Sequence, residues 1–323
     1  MSGPAQRISV VAPSRLHFGL YGFGATLQRQ FGGIGAMIQS PCIRLDISAS
    51  DVFEASGPLS SRTHLFAQRW LASTREVSAL SCHIRVLEVP PEHTGLGVGT
   101  QLALAIAAGL NAFYKLPPAT PAELAMSVGR GLRSAVGTYG FVQGGLIAER
   151  GKLPGETVSP LDMRVELPAA RRFVLVIPSV APGLAGQAEV QAFERLPPVP
   201  WETSQSLIRL GREELIPAAM QQDFPAFSSA LFRYCRQAGL CFAEVQGGPY
   251  NGPVLDELVE KMRHCGAEGV GQSSWGPTLF AVLPNESSAN AFVARLRATS
   301  SRAFTTLVTA ANSTGARVAA ENH

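Results

Sequence analysis

Pro90-Pro91-Glu92-His93-Thr94-Gly95-Leu96-Gly97-Val98-Gly99-Thr100, with the run 101–114 behind it, decides how the chain is read. Ahead of it, 81–88 alternates: Cys82, Ile84 and Val86 point one way, His83 and Arg85 the other, as in a half-buried strand. Behind it, 101–114 is apolar nearly all round and predicts a centrally buried helix, stopped by Pro117 and Pro118. The stretch is therefore a strand–glycine loop–helix unit. Glycine lets the backbone turn sharply and approach a ligand closely. A helix N-terminus offers unpaired N–H groups and a positive dipole end to an anion. Gly95, Gly97, Gly99, Thr100 and Gln101 are thus a candidate phosphate site, with Thr100 capping the helix or donating to the anion and His93 beside the loop. The same residues equally make an ordinary turn and helix cap. No Gly-Lys-Ser/Thr follows, and the glycines lack the GxGxxG spacing, so neither a Walker nor a dinucleotide-binding loop is present.

Toward the N-terminus, 7–12 reads as a strand ending at Pro13, and 16–20 as a second short strand. A glycine-rich turn containing Gly33 follows at 31–35, then an extended run within 36–48. Arg15 and His17 flank Leu16 and share one face, an arrangement that suits a phosphate or carboxylate or two solvated strand residues. Arg29 is a weaker candidate of the same kind. Residues 61–73 carry apolar residues at helical spacing.

Toward the C-terminus, Pro121 opens a helix. The loop 129–140 then brings Arg130, Arg133, Ser134 and Thr138 together, either as an anion nest or as a surface turn. No Asp or Glu occurs between Glu123 and Glu149. A boundary near Pro168 divides the chain into 1–168 and 169–323. The second part reads as a strand at 173–177, helices at 186–195, 204–220, 224–237 and 253–265, a strand at 278–283, a helix at 287–297 and a closing strand at 303–308. Its glycine-rich loop 269–276 carries Gln272, Ser274 and Trp275, where the indole either stacks on a ligand or plugs the domain junction. The mixed order of strands and helices is α+β.

A length of 323 residues fits two domains, and 46% hydrophobic with 16% charged residues is a globular composition. A net charge of +3 lacks the dense basic face of a nucleic-acid binder. Apart from Lys115, Lys152 and Lys261 the basic residues are all arginine, the side chain that grips phosphates and carboxylates bidentately, although a nucleotide-composition bias of the source genome accounts for such an excess more simply. The five cysteines form no CxxC pair, and no His, Asp or Glu spacing suggests a protein-bound metal. No nucleophile-elbow GxSxG occurs. Without a leader-like or 18-residue apolar run, a soluble cytoplasmic protein, with no membrane or nucleic-acid partner, is expected.

Five blocks carry a resemblance: SRLHFGL (14–20), RQFGGIG (29–35), HTGLGVGTQLALA (93–105), GRGLRSAVGTYGFVQGGLI (129–147) and GQSSWGPT (271–278). Together, and in this order, they resemble β-ribofuranosylaminobenzene 5'-phosphate synthases, a branch of the GHMP superfamily of small-molecule kinases. Val98-Gly99-Thr100-Gln101 departs from the Ser-Ser-Ala ending usual in the kinases. The resemblance implies a two-domain GHMP-kinase-like fold, with an N-terminal domain holding a left-handed βαβ unit and a ferredoxin-like C-terminal domain. It implies a decarboxylating pentosyltransferase of tetrahydromethanopterin biosynthesis that joins phosphoribosyl pyrophosphate to 4-aminobenzoate or 4-hydroxybenzoate. It also implies a homodimer.

Placed on this chain, Gly95, Gly97, Gly99 and Thr100 would cradle phosphate, with Gly33, Gln101, Ser134 and Thr138 as further substrate positions. Arg130 and Arg133 would neutralise the leaving pyrophosphate, or one would hold the benzoate carboxylate. Arg15 and His17 would line the benzoate or ribose end, and Trp275, Gln272 and Ser274 would close over the ring. Mg²⁺ would arrive on the pyrophosphate. Where many kinases of the superfamily carry a catalytic Asp, 129–145 has no carboxylate. A kinase reading would need Glu149 or Asp162 as its base. A non-catalytic ligand sensor is the remaining alternative.

Overall fold

The computed structural model describes residues 7–25, 28–181, 183–184 and 186–321. In chain order its strands are β1 (Arg7–Gly22), β2 (Phe31–Ala49), β3 (Glu54–Ser56), β4 (Cys82–Glu88), β5 (Leu146–Glu149), β6 (Leu161–Val165), β7 (Arg172–Pro178), β8 (Val270–Gln272), β9 (Leu279–Leu283), β10 (Phe304–Ala310) and β11 (Arg317–Glu321). Its helices are α1 (Ser60–Ser73), α2 (Val98–Phe113), α3 (Pro121–Ser127), α4 (Val136–Gln143), α5 (Gly186–Arg195), α6 (Trp201–Arg209), α7 (Ile216–Met220), α8 (Phe224–Leu240), α9 (Ala243–Gln246), α10 (Pro253–His264) and α11 (Glu286–Thr299). A π-helical turn, Leu210–Leu215, joins α6 to α7.

The strands form two sheets. One runs β11-β1-β2-β4-β3, with β5 pairing β2 and β6. Within it β3 and β4 are parallel and connected through α1, a βαβ unit. The other runs β10-β7-β9-β8, entirely antiparallel. Its strands and principal helices follow a β-α-β-β-α-β order, the ferredoxin-like pattern. As expected, α2 is buried nearly all round, under β1 and β2. The main core continues from α2 into Phe173, Leu175 and Phe280 of the second sheet. Phe18 of β1 stacks on Phe280 of β9 at 5.2 Å, which ties the two sheets together next to His17.

Several expectations are corrected. Pro13 does not end a strand: β1 continues to Gly22, and a register shift between Pro13 and Ser14 accommodates the missing N–H. The expected turn at 31–35 is the start of β2. There Gly33 permits the close approach of β1, because a Cβ would run into the Gly19 carbonyl. Part of the expected glycine loop is helix α4, whose Gly140 lies directly against Met37. Residues 317–321, expected in the second domain, return as β11 to the edge of the first sheet, antiparallel to β1. Strands β3 and β6 had no clear sequence signal, being three and five residues long. Among the described residues, no helix is long and apolar enough to cross a membrane.

Candidate active site

A cavity of about 240 Å³ opens between the two sheets. Its walls are β1 around His17, the loop before α4, α5, α8 with Phe242, and the loop after β8. Of the sequence candidates, Arg15, His17, Thr100, Arg130, Arg133, Ser134, Gln272, Ser274 and Trp275 line it. The glycine loop stands behind this wall. The Gly95 carbonyl accepts from Arg15 (3.1 Å) and from Ser273 Oγ (2.7 Å), and Gly97 is pressed against the Arg15 stem. Gly95 and Gly97 therefore pack the loop under Arg15. Gly99 faces the arginines instead: a Cβ there would meet the Arg62 guanidinium, with Arg130 3.4 Å from it.

Gly33, Gln101 and Thr138 are not brought to the cavity. Gly33 is a strand contact, Gln101 Nε2 donates to the Gly137 carbonyl at 2.9 Å, and Thr138 is buried inside α4. Arg29 pairs with Glu156 instead, and His93 lies outside the lining. Neither carboxylate suggested for a kinase lines the cavity. Asp162 pairs with Arg150 and Arg212, and Glu149 is buried behind Ser134.

One side of the cavity is cationic. Arg130 is pushed down to about 10, first by burial and then by Arg62 and Arg69 beside it. Its Nε is buried without a partner, and its guanidinium lies 4.8 Å over the Phe66 ring. Arg62 also faces Phe66 and is paired with Glu92. Arg15 is pushed down to about 10 by burial. An anion placed beside these like charges would relieve their mutual repulsion. Arg62 and Arg69 do not line the cavity but stand behind Arg130, as additions to the sequence candidates; they share the face of α1 that carries Phe66, four residues after the first and three before the second.

The opposite side is aromatic. Trp275, 6% exposed, packs edge-on against Phe242 (4.9 Å) and Phe193 (5.8 Å). It is part of the junction as well as of the cavity wall. Glu189 of α5 bridges the two sides: one carboxylate oxygen accepts from Arg133 (2.9 Å), the other from the Trp275 indole (3.2 Å). Arg133 itself lies 4.8 Å over Phe193. Glu189, Phe193 and Phe242 were not among the sequence candidates.

His17 sits between the two sides. Its backbone N–H donates to Ser273 Oγ (3.0 Å) and its carbonyl accepts from the Ser274 N–H (3.1 Å), so each half of the molecule holds it. Its Nε2 is 2.9 Å from Ser134 Oγ. Burial, and then Arg15, hold its imidazole well below the usual range, hence neutral.

The sequence matches the family described as GHMP kinases N terminal domain over residues 64–145 and GHMP kinases C terminal over 215–302. Solved structures share the whole fold. Homoserine kinase from Cytophaga hutchinsonii superposes with a TM-score of 0.69 at 16% identity, covering 97% of both chains. L. major mevalonate kinase gives 0.64 at 17%, covering 94% of this chain and 96% of its own. The sequence is also 30% identical over 292 residues to the Beta-ribofuranosylphenol 5'-phosphate synthase of Methanothermobacter thermautotrophicus, covering 84% of this chain and 87% of that protein. The chain belongs to this synthase family. Its counterpart in Archaeoglobus fulgidus is 29% identical, covering 84% of this chain and 86% of its own length. The family, on a GHMP-kinase fold, is one of synthases, and the chain is accordingly an enzyme of the pentosyltransferase type.

Proposed function

We propose that the enzyme condenses phosphoribosyl pyrophosphate with a para-substituted benzoate, 4-hydroxybenzoate or 4-aminobenzoate, to a C-riboside 5'-phosphate, releasing pyrophosphate and CO₂. The observation that carries this reading is the two-sided cavity, with arginines on one wall and aromatic rings on the other, joined by His17. It suits a substrate pair of which one is a polyphosphate and the other a flat ring. The relatives' name, which couples a ribofuranosyl phosphate to a phenol, points the same way. Tetrahydromethanopterin biosynthesis is the pathway this product would serve.

In this reading Arg62, Arg69 and Arg130, with the start of α2 and Thr100, bind the pyrophosphate. Arg133 lies over the ring-binding side and holds the benzoate carboxylate until it is lost, exchanging Glu189 for substrate. Phe193, Phe242 and Trp275 bind the ring, and Arg15 borders the ribose. As the pyrophosphate departs, the anomeric carbon becomes oxocarbenium-like. The ring carbon bearing the carboxylate attacks it, and CO₂ then leaves in place of a proton. Departure of the pyrophosphate is promoted by positioning plus charge stabilisation. Among the described residues no cluster of His, Cys, Asp or Glu is arranged to hold a metal ion. In this reading Mg²⁺ would arrive on the pyrophosphate oxygens, as part of the substrate, and would neutralise leaving-group charge. The cytoplasm and a homodimeric state are part of the same proposal.

The test incubates the protein with phosphoribosyl pyrophosphate, Mg²⁺ and either benzoate, and follows products by mass spectrometry. A riboside phosphate lacking the carboxyl group is expected. Folded protein that forms none, yet phosphorylates a small alcohol from ATP, would replace this reading with a kinase.

A further inference from the structure

Behind the cavity wall runs a line of three side chains from three separate places in the sequence. His17 Nε2 meets Ser134 Oγ at 2.9 Å, and Ser134 Oγ meets Glu149 Oε1 at 2.5 Å. The other carboxylate oxygen of Glu149 accepts from the Ala135 N–H at 2.8 Å, and Ser134 Oγ also accepts from the Val136 N–H at 3.2 Å. Glu149 is fully buried on β5, with no arginine or lysine bonded to it among the described residues. A carboxylate placed there without a cation is held only by hydrogen bonds, from Ser134 and the Ala135 N–H among them.

The bonding can be counted. Ser134 has one hydrogen and two lone pairs. With Glu149 as a carboxylate, the hydrogen goes to Glu149, one lone pair accepts from Val136, and the other accepts from His17. His17 then carries its hydrogen on Nε2 and presents a bare Nδ1. That nitrogen has no protein partner among the described residues, and His17 lines the cavity. A second arrangement keeps the same contacts between the three side chains: Glu149 protonated and donating to Ser134, Ser134 donating to Nε2, and the hydrogen of His17 on Nδ1. The second arrangement holds one proton more than the first: a proton taken up at Nδ1 sends the Nε2 hydrogen to Ser134 and the Ser134 hydrogen to Glu149, and in neither does the imidazole carry a positive charge. This matters because burial and the neighbouring Arg15 both disfavour an imidazolium there, while burial raises the Glu149 carboxyl above its ordinary value.

Resting on the function proposed above, we infer that His17, Ser134 and Glu149 form a proton relay that borrows the 4-hydroxyl proton of a 4-hydroxybenzoate during attack and returns it afterwards. The phenol proton passes to Nδ1, the Nε2 proton to Ser134 Oγ, and the Ser134 proton to Glu149. The phenolate oxygen pushes electron density to the para carbon, which bears the carboxylate. That carbon forms its bond to the anomeric carbon as the bond to pyrophosphate breaks. The carbon–carboxylate bond then breaks, CO₂ departs, its electron pair restores the aromatic ring, and the resulting phenolate takes its proton back along the same line. No proton is gained or lost overall, and no co-reactant is needed. A 4-amino group pushes with its nitrogen lone pair and needs no deprotonation before attack. The relay therefore selects the hydroxyl compound. His17 is the residue that touches substrate, and Ser134 and Glu149 are positioning residues acting through it.

The test compares 4-hydroxybenzoate with 4-aminobenzoate in the unaltered enzyme and in Ser134→Ala and Glu149→Gln. General-base catalysis contributes about 10²–10⁴-fold. Each variant is expected to lose at least about tenfold more kcat with the hydroxyl compound than with the amino compound. Equal losses on both would overturn the relay while leaving the proposed reaction standing. An unaltered enzyme that consumes neither compound would instead sink the reaction, and the relay with it. Should either variant fail to fold, the solvent deuterium isotope effect on kcat of the unaltered enzyme decides. A larger effect with the hydroxyl compound supports the relay, and the same effect with both refutes it.

Discussion

Arg130→Ala is the substitution whose consequence follows most directly from the geometry. The guanidinium is largely buried, its Nε has no protein partner, and Arg62 and Arg69 push against it. In the free enzyme it is thus held by its stack on Phe66 rather than by an ion pair. A desolvated stack of this kind contributes about 2 kcal/mol, and removing the charge relieves the repulsion from Arg62 and Arg69. Folding stability should barely move, with the melting temperature within about 4 °C of the unaltered enzyme. Binding is different. A hydrogen bond to a charged group contributes about 1.5–3 kcal/mol, and each ~1.4 kcal/mol is tenfold in rate. The loss in kcat/KM for phosphoribosyl pyrophosphate should therefore be about 10- to 150-fold, most of it in the leaving-group step and so in kcat. The assay is steady-state turnover with the pyrophosphate substrate varied, beside a thermal melt. A folded variant whose kcat/KM lies within threefold of the unaltered enzyme would refute the assignment of the arginine cluster to the leaving group.

The other consequences are more local. Phe242→Ala removes one wall of the aromatic side, and aromatic pairs contribute about 0.5–1.5 kcal/mol beyond area burial. Its KM for the benzoate should rise about tenfold while that for phosphoribosyl pyrophosphate changes little, which initial-rate kinetics would show. Gly95→Ala places a Cβ against the Ser273 carbonyl at a backbone φ of 82°. Its melting temperature should fall by several degrees, and an unchanged melt would argue against the loop packing described. Burial raises the Glu149 carboxyl, so below that raised value the folded state binds a proton the unfolded chain does not. Stability from this group is therefore present in acid and lost as pH rises through the raised value. Thermal melts between pH 8 and pH 5 should show the unaltered enzyme gaining on Glu149→Gln as pH falls; the opposite trend would contradict the buried, raised carboxyl.

How much of this was legible in the sequence differs by element. Apolar periodicity carried α2, and alternation carried β4, because burial on all sides or on one face leaves a mark in composition. The glycine loop was legible as a loop, but not the duty of its glycines. Gly95 and Gly97 serve a neighbour some 180 residues away and the Arg15 stem, respectively, and nothing local signals either. Pro13 read as a strand end because a proline interrupts pairing, yet a bulge carried the strand past it. Residues 317–321 are short and mostly exposed, so only the free edge of β1 decides their pairing. Arg62 and Arg69 did carry a signal, flanking Phe66 on one helical face. Glu149 could not be linked to His17 by any spacing, since Ser134 joins them only once β1, β5 and the start of α4 are folded together.

The central claim is that one cavity couples departure of pyrophosphate to loss of CO₂. It is tested most directly by counting CO₂ from carboxyl-labelled 4-hydroxybenzoate or 4-aminobenzoate, with phosphoribosyl pyrophosphate and Mg²⁺, alongside pyrophosphate in the same reaction. Release of both in equal amounts, each requiring both substrates, is the predicted result. Pyrophosphate without CO₂, or neither from folded protein with either benzoate, would contradict it.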